Sequence, residues 1–227
     1  MFTVRGEITP GQLPTIESVY AEAADVRPAR RGDIPGLAAS LASGFYDDPV
    51  MSWFLPEDEA RLRRLERAFS LFLRRMWMPR ELTFATGSLI GGAAWMPPGA
   101  WRLSLPRQLA MVPQMMAIFR AGLARTLRGF SAVESNHPRE PHYYLHALGV
   151  DPRWQGRGLG TALMRPMLER CDAEGIAAYL EASSPRSKLL YERNGFGVTE
   201  EVRLPGGGPP LWRMWRGPQS PSSSAAT

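Results

Sequence analysis

The sequence predicts an α/β (α+β) chain in which a mixed, mostly antiparallel sheet is flanked by helices. Residues 143–150, YYLHALGV, are a run of aromatic and aliphatic residues typical of a buried strand, and residues 176–181 read in the same way. Between them lie a glycine-rich loop and residues 161–174, whose apolar residues recur at helical spacing. We therefore expect this strand, loop, helix and strand to form the centre of the fold.

The remaining elements surround this centre. We predict helices over residues 15–24, 34–44, 56–78 and 186–194, a strand at 26–29, and hairpins of 81–86 with 88–96 and of 196–204 with 210–216. Helical spacing within residues 103–112 and 113–130 predicts a mostly helical insert, residues 100–140, before strand 143–150. One domain, residues 25–216, is expected between an N-terminal extension (1–24) and a disordered Ser/Pro/Ala tail (217–227).

The helix predicted over residues 56–78 is strongly amphipathic. Its apolar residues recur every three or four positions from Leu62 to Met76. Six arginines occupy much of the remaining surface, and we interpret them as a solvent-exposed face: Arg61, Arg63, Arg64, Arg67, Arg74 and Arg75.

Composition limits the classes of function. Hydrophobic residues make up 44% of the chain and charged residues 22%, as in soluble globular proteins. No apolar run approaches the ~18 residues of a membrane span, and the N-terminus lacks the pattern of a secretory signal. The single Cys171 excludes an internal disulfide and fits a reducing compartment. Because the basic residues are spread along the chain, we expect no nucleic-acid partner. With the missing apolar run and the single cysteine, we also expect a cytoplasmic protein with no membrane partner.

The loop QGRGLG, residues 155–160, predicts an anion site. Glycines lack a Cβ, so backbone N–H groups can converge, and the following helix adds unpaired N–H donors at its positive end. Phosphate or pyrophosphate is the anion that fits. A P-loop has a lysine between its last glycine and the following serine or threonine. Here Thr161 follows Gly160 directly, so the loop does not match a P-loop. A dinucleotide-binding loop needs a different glycine spacing.

The loop instead matches the pattern Gln/Arg-x-x-Gly-x-Gly/Ala through Gln155, Gly158 and Gly160. This pattern, between a strand and a helix, is the acetyl-coenzyme A signature of the GNAT (GCN5-related N-acetyltransferase) superfamily, which the chain resembles over residues 26–216. The string LLYERNGF, residues 189–196, is similar to the family's FYExxGF helix end. More narrowly, the residues from Arg139 to Phe196 resemble the puromycin N-acetyltransferase-like subgroup.

The resemblance implies a GNAT fold with a sheet splayed between the strands that end near Val150 and Glu181. Acetyl-coenzyme A would enter the splay as co-substrate, with no metal. Backbone groups of Leu148 and Val150 would pair with its pantetheine arm, and loop N–H groups would bind its pyrophosphate. The implied cofactor-binding residues are Leu148, Gly149, Val150, Gln155, Gly156, Arg157, Gly158, Leu159, Gly160, Thr161 and Ser187. Relatives often have asparagine in place of Ser187, so either serine substitutes or the contact is absent.

Acyl transfer from a thioester to an amine needs an oriented carbonyl, an oxyanion donor, a base and a proton for the thiolate. The sequence shows neither a Ser-His-Asp arrangement nor metal-ligand spacing around its histidines, which favours direct attack by the amine. The resemblance implies that Tyr191 protonates the thiolate. Either His146 or Glu181 could be the base, directly or through a water relay, and either could instead have a purely structural role. Tyr144 is expected on the same strand face as His146.

We therefore expect an N-acetyltransferase that moves an acetyl group from acetyl-coenzyme A to a primary amine of a small molecule in a ternary complex. A protein or peptide N-acetyltransferase and a non-catalytic acyl-coenzyme A sensor stay open as alternatives. The aromatic segment 45–54 either lines the acceptor pocket or packs helices together. A monomer or a homodimer is expected.

Overall fold

A computed structural model describes residues 14–56, 58–135 and 137–219. Within these residues one seven-stranded sheet has the order β1-β2-β3-β4-β5-β7-β6. The strands are β1 (Arg27–Pro28), β2 (Thr83–Ala85), β3 (Gly91–Met96), β4 (His142–Val150), β5 (Ala177–Ala182), β6 (Gly197–Arg203) and β7 (Pro210–Arg216). Neighbouring strands are antiparallel except β4 and β5, which run parallel. The predicted mixed, mostly antiparallel sheet is confirmed.

Helices cover both faces of this sheet. They are α1 (Ile16–Ala24), α2 (Ile34–Gly44), α3 (Pro49–Phe54), α4 (Arg61–Phe72), α5 (Leu105–Phe119), α6 (Leu123–Ser135), α7 (Leu159–Glu174) and α8 (Pro185–Arg193). The core on one face joins α7 and α1 to the sheet, and the core on the other joins α2, α4 and the insert helices α5 and α6. Because both faces are covered, β4 is apolar along nearly its whole length.

A β-bulge interrupts β4 at His146. Leu145 lies opposite Trp95 of β3, but Ala147 lies opposite the adjacent Ala94, so His146 is a surplus residue without a partner on β3. The bulge reverses the alternation of side chains along the strand. Before it Tyr144 belongs to the core under α2, and after it Ala147 does.

The sheet opens beyond the bulge. The pairing of β4 with β5 ends at Leu145 and Leu180, whereas β4 continues to Val150 beside β3 alone. The other edge of β4 therefore has free backbone groups, and a splay separates the ends of the two parallel strands, as expected from the sequence.

Helix α2 packs closely against the end of β4 because two glycines allow it. A Cβ on Gly149 would lie 2.9 Å from Leu41 and 3.0 Å from Phe45. A Cβ on Gly44 would lie 2.8 Å from the carbonyl oxygen of Val150. The end of α2 thus forms a wall beside the splay.

The interpretation of the α4 arginines was wrong for two of the six. Arg61 and Arg64 are buried, whereas the predicted core residue Leu62 is 43% exposed. Arg61 donates to the Ser52 hydroxyl at 2.8 Å and to the Tyr46 carbonyl, so it satisfies polar groups of the segment that precedes α4. The α-helix is also shorter than predicted, since residues 73–77 form a π-helical turn.

The predicted boundary inside the insert was also wrong. Helix α5 continues through Pro113 to Phe119, and the break lies at residues 120–122 instead. Proline removes one helical hydrogen bond, but Met111 and Met115 lie on one buried stripe that spans it. Burial of that stripe on the core outweighs the lost bond.

The proposed ends of the domain remain predictions. Residues 1–13 of the N-terminal extension and residues 220–227 of the tail lie outside the described residues. The described part of the extension includes α1, whose Val19 is buried in the core beside α7.

Candidate active site

A cavity of about 760 Å³ passes through the splay between β4 and β5. The glycine-rich loop and α8 line one end, and aromatic side chains of α3, α4 and α6 line the other. Of the predicted site residues, Arg157 alone does not line it. Those that do are Tyr144, His146, Leu148, Gly149, Val150, Gln155, Gly156, Gly158, Leu159, Gly160, Thr161, Glu181, Ser187 and Tyr191. The fold therefore brings residues from distant parts of the sequence to one cavity.

The glycine-rich loop presents a row of free N–H groups. Gly156 and Gly158 have φ values of +76° and +87°, a conformation that favours glycine. Among the described residues, no hydrogen bond joins the N–H groups of residues 156–161 to another part of the chain. The Gln155 side chain donates to the Val150 carbonyl at 2.9 Å and ties the loop to the end of β4. The loop thus has the geometry of an anion cradle at the N-terminus of α7.

Helix α8 is fastened to this loop. The Asn194 amide donates to the Thr161 hydroxyl at 3.1 Å and to the Leu190 carbonyl at 2.8 Å. A Cβ on Gly160 would lie 3.0 Å from Leu190, so the glycine allows the close approach of α8 to α7. These contacts hold Tyr191 beside the loop.

Tyr191 is buried but lines the cavity. Burial raises the pKa of its phenol, and the nearby negative charge of Asp48 raises that pKa further. Within the described residues its hydroxyl makes no hydrogen bond. The side chain is therefore a protonated donor at neutral pH with its hydroxyl unoccupied.

The Ser187 hydroxyl is already engaged in a capping box at the start of α8. It accepts from the Ser184 N–H at 3.1 Å and donates to the Ser184 carbonyl at 2.9 Å. The Ser187 side chain thus stabilises the helix that carries Tyr191. Its contact with a cofactor stays a prediction.

Two tyrosines hold the Glu181 carboxylate at the end of β5. One carboxylate oxygen accepts from the Tyr144 hydroxyl at 2.7 Å and the other from the Tyr179 hydroxyl at 2.6 Å. Burial raises the pKa of Glu181, while the two hydrogen bonds and the charge of Arg213 oppose that rise. The carboxylate is therefore fixed in orientation and is more basic than an exposed glutamate.

His146 projects from the bulge into the same cavity. Its ring lies 5.2 Å from the Tyr144 ring and 5.4 Å from the Trp77 ring. Burial is the main cause that lowers its pKa to about 4, and the charge of Arg80 lowers it further. At neutral pH His146 is an uncharged and weakly basic imidazole.

Sequence reasoning missed a histidine pair whose first member, His137, lines the cavity. His142 Nδ1 lies 2.6 Å from the Glu140 carbonyl, so Nδ1 carries the proton and Nε2 accepts from His137 Nε2–H at 2.9 Å. His137 also stacks on Trp101 with ring centroids 3.8 Å apart. Burial lowers the pKa of both rings, that of His137 to about 3. No local pattern signals this pair, because His137 lies in a loop and His142 in β4, and the fold brings their rings together.

Asp48 is a second buried carboxylate that the sequence did not single out. It caps α3 by accepting from the Val50 and Met51 N–H groups at 3.0 and 2.9 Å, and it also accepts from the Ser183 hydroxyl. Burial raises the pKa of Asp48. An aspartate directly before Pro49 is a helix-start signal that would have located it.

The aromatic end of the cavity joins segment 45–54 to the insert. Phe130 of α6 lies 5.2 Å from Phe54 and 6.2 Å, edge to face, from Phe72. These rings both pack together and line the cavity. Segment 45–54 therefore packs helices together and also lines the cavity, and its role in an acceptor pocket stays a prediction. In the described part of the chain, no three His, Cys, Asp or Glu side chains form a metal-binding group.

A splayed mixed sheet with an anion cradle at its opening is the arrangement of the acetyltransferase class. The model of the Acetyltransferase (GNAT) family matches residues 46–196, and the chain belongs to this family. The GNAT resemblance is confirmed, and with it N-acetyltransferase activity of the GNAT kind, for which acetyl-coenzyme A is the co-substrate.

Relatives and solved structures agree with this membership. The chain is 26% identical to an uncharacterized N-acetyltransferase of Schizosaccharomyces pombe over 76% of its length and 74% of the relative. It is 34% identical to the N-alpha-acetyltransferase RimI of Mycobacterium tuberculosis over 47% of its length and 64% of the relative. A structure titled histone acetyltransferase HPA2 and related acetyltransferase, from Corynebacterium glutamicum, superposes with TM-score 0.66 at 26% identity, over 87% and 97% of the two chains.

A Drosophila melanogaster polyamine N-acetyltransferase shares the fold, with TM-score 0.60 at 22% identity, over 85% of this chain and 98% of that one. In the described residues no helix is both long and apolar enough to cross a membrane.

The neutral histidines predict a fold that weakens in acid. As pH falls, the unfolded chain protonates its histidines near 6.5, whereas folded His146 and His137 stay neutral to about 4 and 3. Their contribution to the free energy of unfolding is thus complete above pH 6.5 and is lost as pH falls towards 4. His146→Gln should reduce the slope of the free energy of unfolding against pH by up to ~1.4 kcal/mol per pH unit, measured by urea unfolding. Glu181 acts in the opposite direction, so variant and parent are compared at each pH; equal slopes would contradict the prediction.

Proposed function

We propose that the protein transfers the acetyl group of acetyl-coenzyme A to a primary amine of a small molecule by direct attack in a ternary complex. The observation that carries this proposal is the single cavity, which joins the glycine-rich loop to the aromatic end and has Glu181, His146 and Tyr191 between them. The aromatic rings favour an acceptor with an apolar or aromatic group. The residues from Arg139 to Phe196 further support membership of the puromycin N-acetyltransferase-like subgroup.

The cofactor end fits a pantetheine pyrophosphate. The free N–H groups of residues 156–161 would bind the pyrophosphate. The edge of β4 at Leu148 and Val150 would pair with the pantetheine amides, with the Val150 carbonyl shared with the Gln155 side chain that already donates to it. In this arrangement the cofactor occupies the splay as an additional strand would. The thioester then lies between the bulge of β4 and Tyr191.

Glu181 is the proposed base. The cationic amine gives one proton to Glu181, its nitrogen bonds to the thioester carbonyl carbon, and the C–S bond breaks as the tetrahedral intermediate collapses. The second proton of the nitrogen passes to the thiolate and Glu181 releases its proton to solvent, so the products are the amide and the free thiol. A base near the operating pH is the most effective, and burial raises the pKa of Glu181 while it lowers that of His146 to about 4. A carboxylate also attracts the cationic acceptor. Tyr144 would act as a positioning residue, since its hydroxyl holds Glu181.

Tyr191 is the proposed acid. Its raised pKa keeps the phenol protonated before the reaction and gives it a hydrogen bond to offer to the thiolate that forms. An ordinary thiol has a pKa of ~8.5, so full transfer from a phenol with a raised pKa is unfavourable. Stabilisation of the thiolate by this hydrogen bond is thus the larger part of the proposed role.

The insert favours a small acceptor over a polypeptide. Trp101, Phe130 and Val133 come from the insert and line the aromatic end. A protein N-acetyltransferase would need an open groove there. The sensor alternative predicts cofactor binding without release of free thiol, so a thiol-release assay with a panel of aromatic and aliphatic primary amines separates it from an enzyme.

Acetyl-coenzyme A should bind saturably in calorimetry, and Gly158→Ala should weaken the affinity about tenfold, because a side chain at φ +87° strains the loop. Gly175→Ala is the matched control. Gly175 has φ +67° at the other end of α7, and a Cβ at either glycine meets no atom within 4 Å. Equal loss of affinity in both variants would remove the loop from the binding site.

Glu181→Gln should lower kcat/KM ~100-fold with the best amine and abolish the acidic limb that Glu181 imposes on the pH profile. His146→Gln should keep that limb, because the pKa of His146 is about 4. One amine is used throughout, so its own ionisation is common to all profiles. Loss of the limb in His146→Gln alone would assign the base to the histidine.

Tyr191→Phe should lower kcat ~100-fold while the KM for acetyl-coenzyme A changes less than about twofold, since the hydroxyl acts on the thiolate and not on the bound thioester. Tyr143→Phe is the control, because the Tyr143 hydroxyl bonds to Glu174 outside the cavity at 2.6 Å. Unchanged kcat in Tyr191→Phe would exclude the proton-donor role.

A further inference from the structure

Helix α5 is apolar around its circumference although much of it faces solvent. Its polar residues are Arg107, Gln108 and Gln114, and the other twelve of its 15 residues are apolar. Helices of this composition are normally buried on every side. In α5 only the side that carries Met111 and Met115 meets the core.

Four large apolar side chains of α5 form one exposed stripe. Leu105, Leu109, Val112 and Met116 are 66%, 61%, 38% and 57% exposed, and they follow one another at steps of four, three and four residues. This spacing places them on one face of the helix over ~16 Å. Residues 104–110 are all exposed, so the first half of α5 projects as a ridge.

The residues that flank the stripe in the sequence are basic. Arg107, Arg120 and Arg128 are exposed, whereas Arg102 lies 3.7 Å from Glu134 and Arg125 packs over the Trp53 ring. Residues 97–133 contain five arginines and no aspartate or glutamate: Arg102, Arg107, Arg120, Arg125 and Arg128. The whole chain has 27 basic and 22 acidic residues, so these five arginines account for its entire net charge of +5. A partner of this surface should therefore be both apolar and anionic.

We propose that α5, with the arginines of residues 97–133, docks the protein onto the surface of an anionic membrane. A projecting ridge can insert its apolar face at the boundary of headgroups and acyl chains, while flanking arginines contact anionic headgroups. A second copy of the chain is a poorer occupant, because a two-fold contact would set the same five arginines against one another. A partner helix would need a groove, and α5 offers a ridge.

This surface goes beyond the proposed function and does not rest on it. It departs from the sequence-based expectation of no membrane partner, which considered membrane-spanning runs and the spread of charge over the whole chain. Helix α6 joins the surface to the active site, since its Phe130 and Val133 line the aromatic end of the cavity. Docking would thus place the acceptor end of the cavity beside the membrane.

Vesicle co-sedimentation of the full chain tests the proposal, with phosphatidylcholine vesicles that contain or lack phosphatidylglycerol. We expect binding to the anionic vesicles only, decreasing as salt is raised. Leu109→Gln with Met116→Gln should weaken it about tenfold or more. Leu62→Gln is the matched control, because Leu62 is an exposed apolar residue on α4, outside the stripe. Leu109 and Met116 are both exposed, so the double variant should fold like the parent. Unchanged binding of acetyl-coenzyme A or an unchanged circular dichroism spectrum checks this.

Three results would overturn the proposal. The first is no binding to either vesicle, and the second is equal binding to both, which would remove the role of the arginines. The third is a dimer in sedimentation velocity that Leu109→Gln dissociates while vesicle binding is absent, which would make the stripe an interface between copies.

Discussion

The site depends on the point at which two parallel strands stop pairing. Up to Leu145 and Leu180 the backbone groups of β4 and β5 satisfy one another, and beyond it those on the free edge of β4 need another partner. A ligand with amides along its length can supply that partner. The glycine-rich loop and Glu181 then both line this opening, because the loop follows β4 and Glu181 is the β5 residue directly after the last pair with β4.

Electrostatics in the cavity follow from burial more than from pairing with opposite charges. Burial raises the pKa of Glu181 and Asp48 and lowers that of the three histidines, so acids become more basic and imidazoles remain neutral. Hydroxyls and backbone groups orient these side chains, which keeps them fixed without cancelling their reactivity. Neutral imidazoles next to aromatic rings also add no positive charge to the aromatic end of the cavity.

Local patterns predicted the fold and the elements around the glycine-rich loop well, because these lie in contiguous residues. The apolar run of β4, the loop from Gln155 to Gly160 and the Tyr191 motif each carry their own signal. The His137–His142 pair, the burial of Arg61 and the course of α5 through Pro113 depend on tertiary contacts, which no local pattern records. The roles of the site residues remain predictions, since shared lining of a cavity places groups together without assigning their chemistry.

The bulge at His146 adds a residue to β4 without changing the pairing of the residues that follow it. Gly149 faces α2, where only the absence of a side chain permits close packing. Were His146 deleted, the ladder with β3 would become continuous and the following residues would keep their faces, because Leu145 and Ala147 already lie opposite the adjacent Trp95 and Ala94. A one-residue deletion would therefore remove the imidazole from the cavity and leave Gly149 against α2, whereas a one-residue slip of the register beyond the bulge would turn Leu148 and Val150 towards α2. This position thus contributes a side chain to the cavity, and the pairing with β3 sets the faces of the strand beyond it.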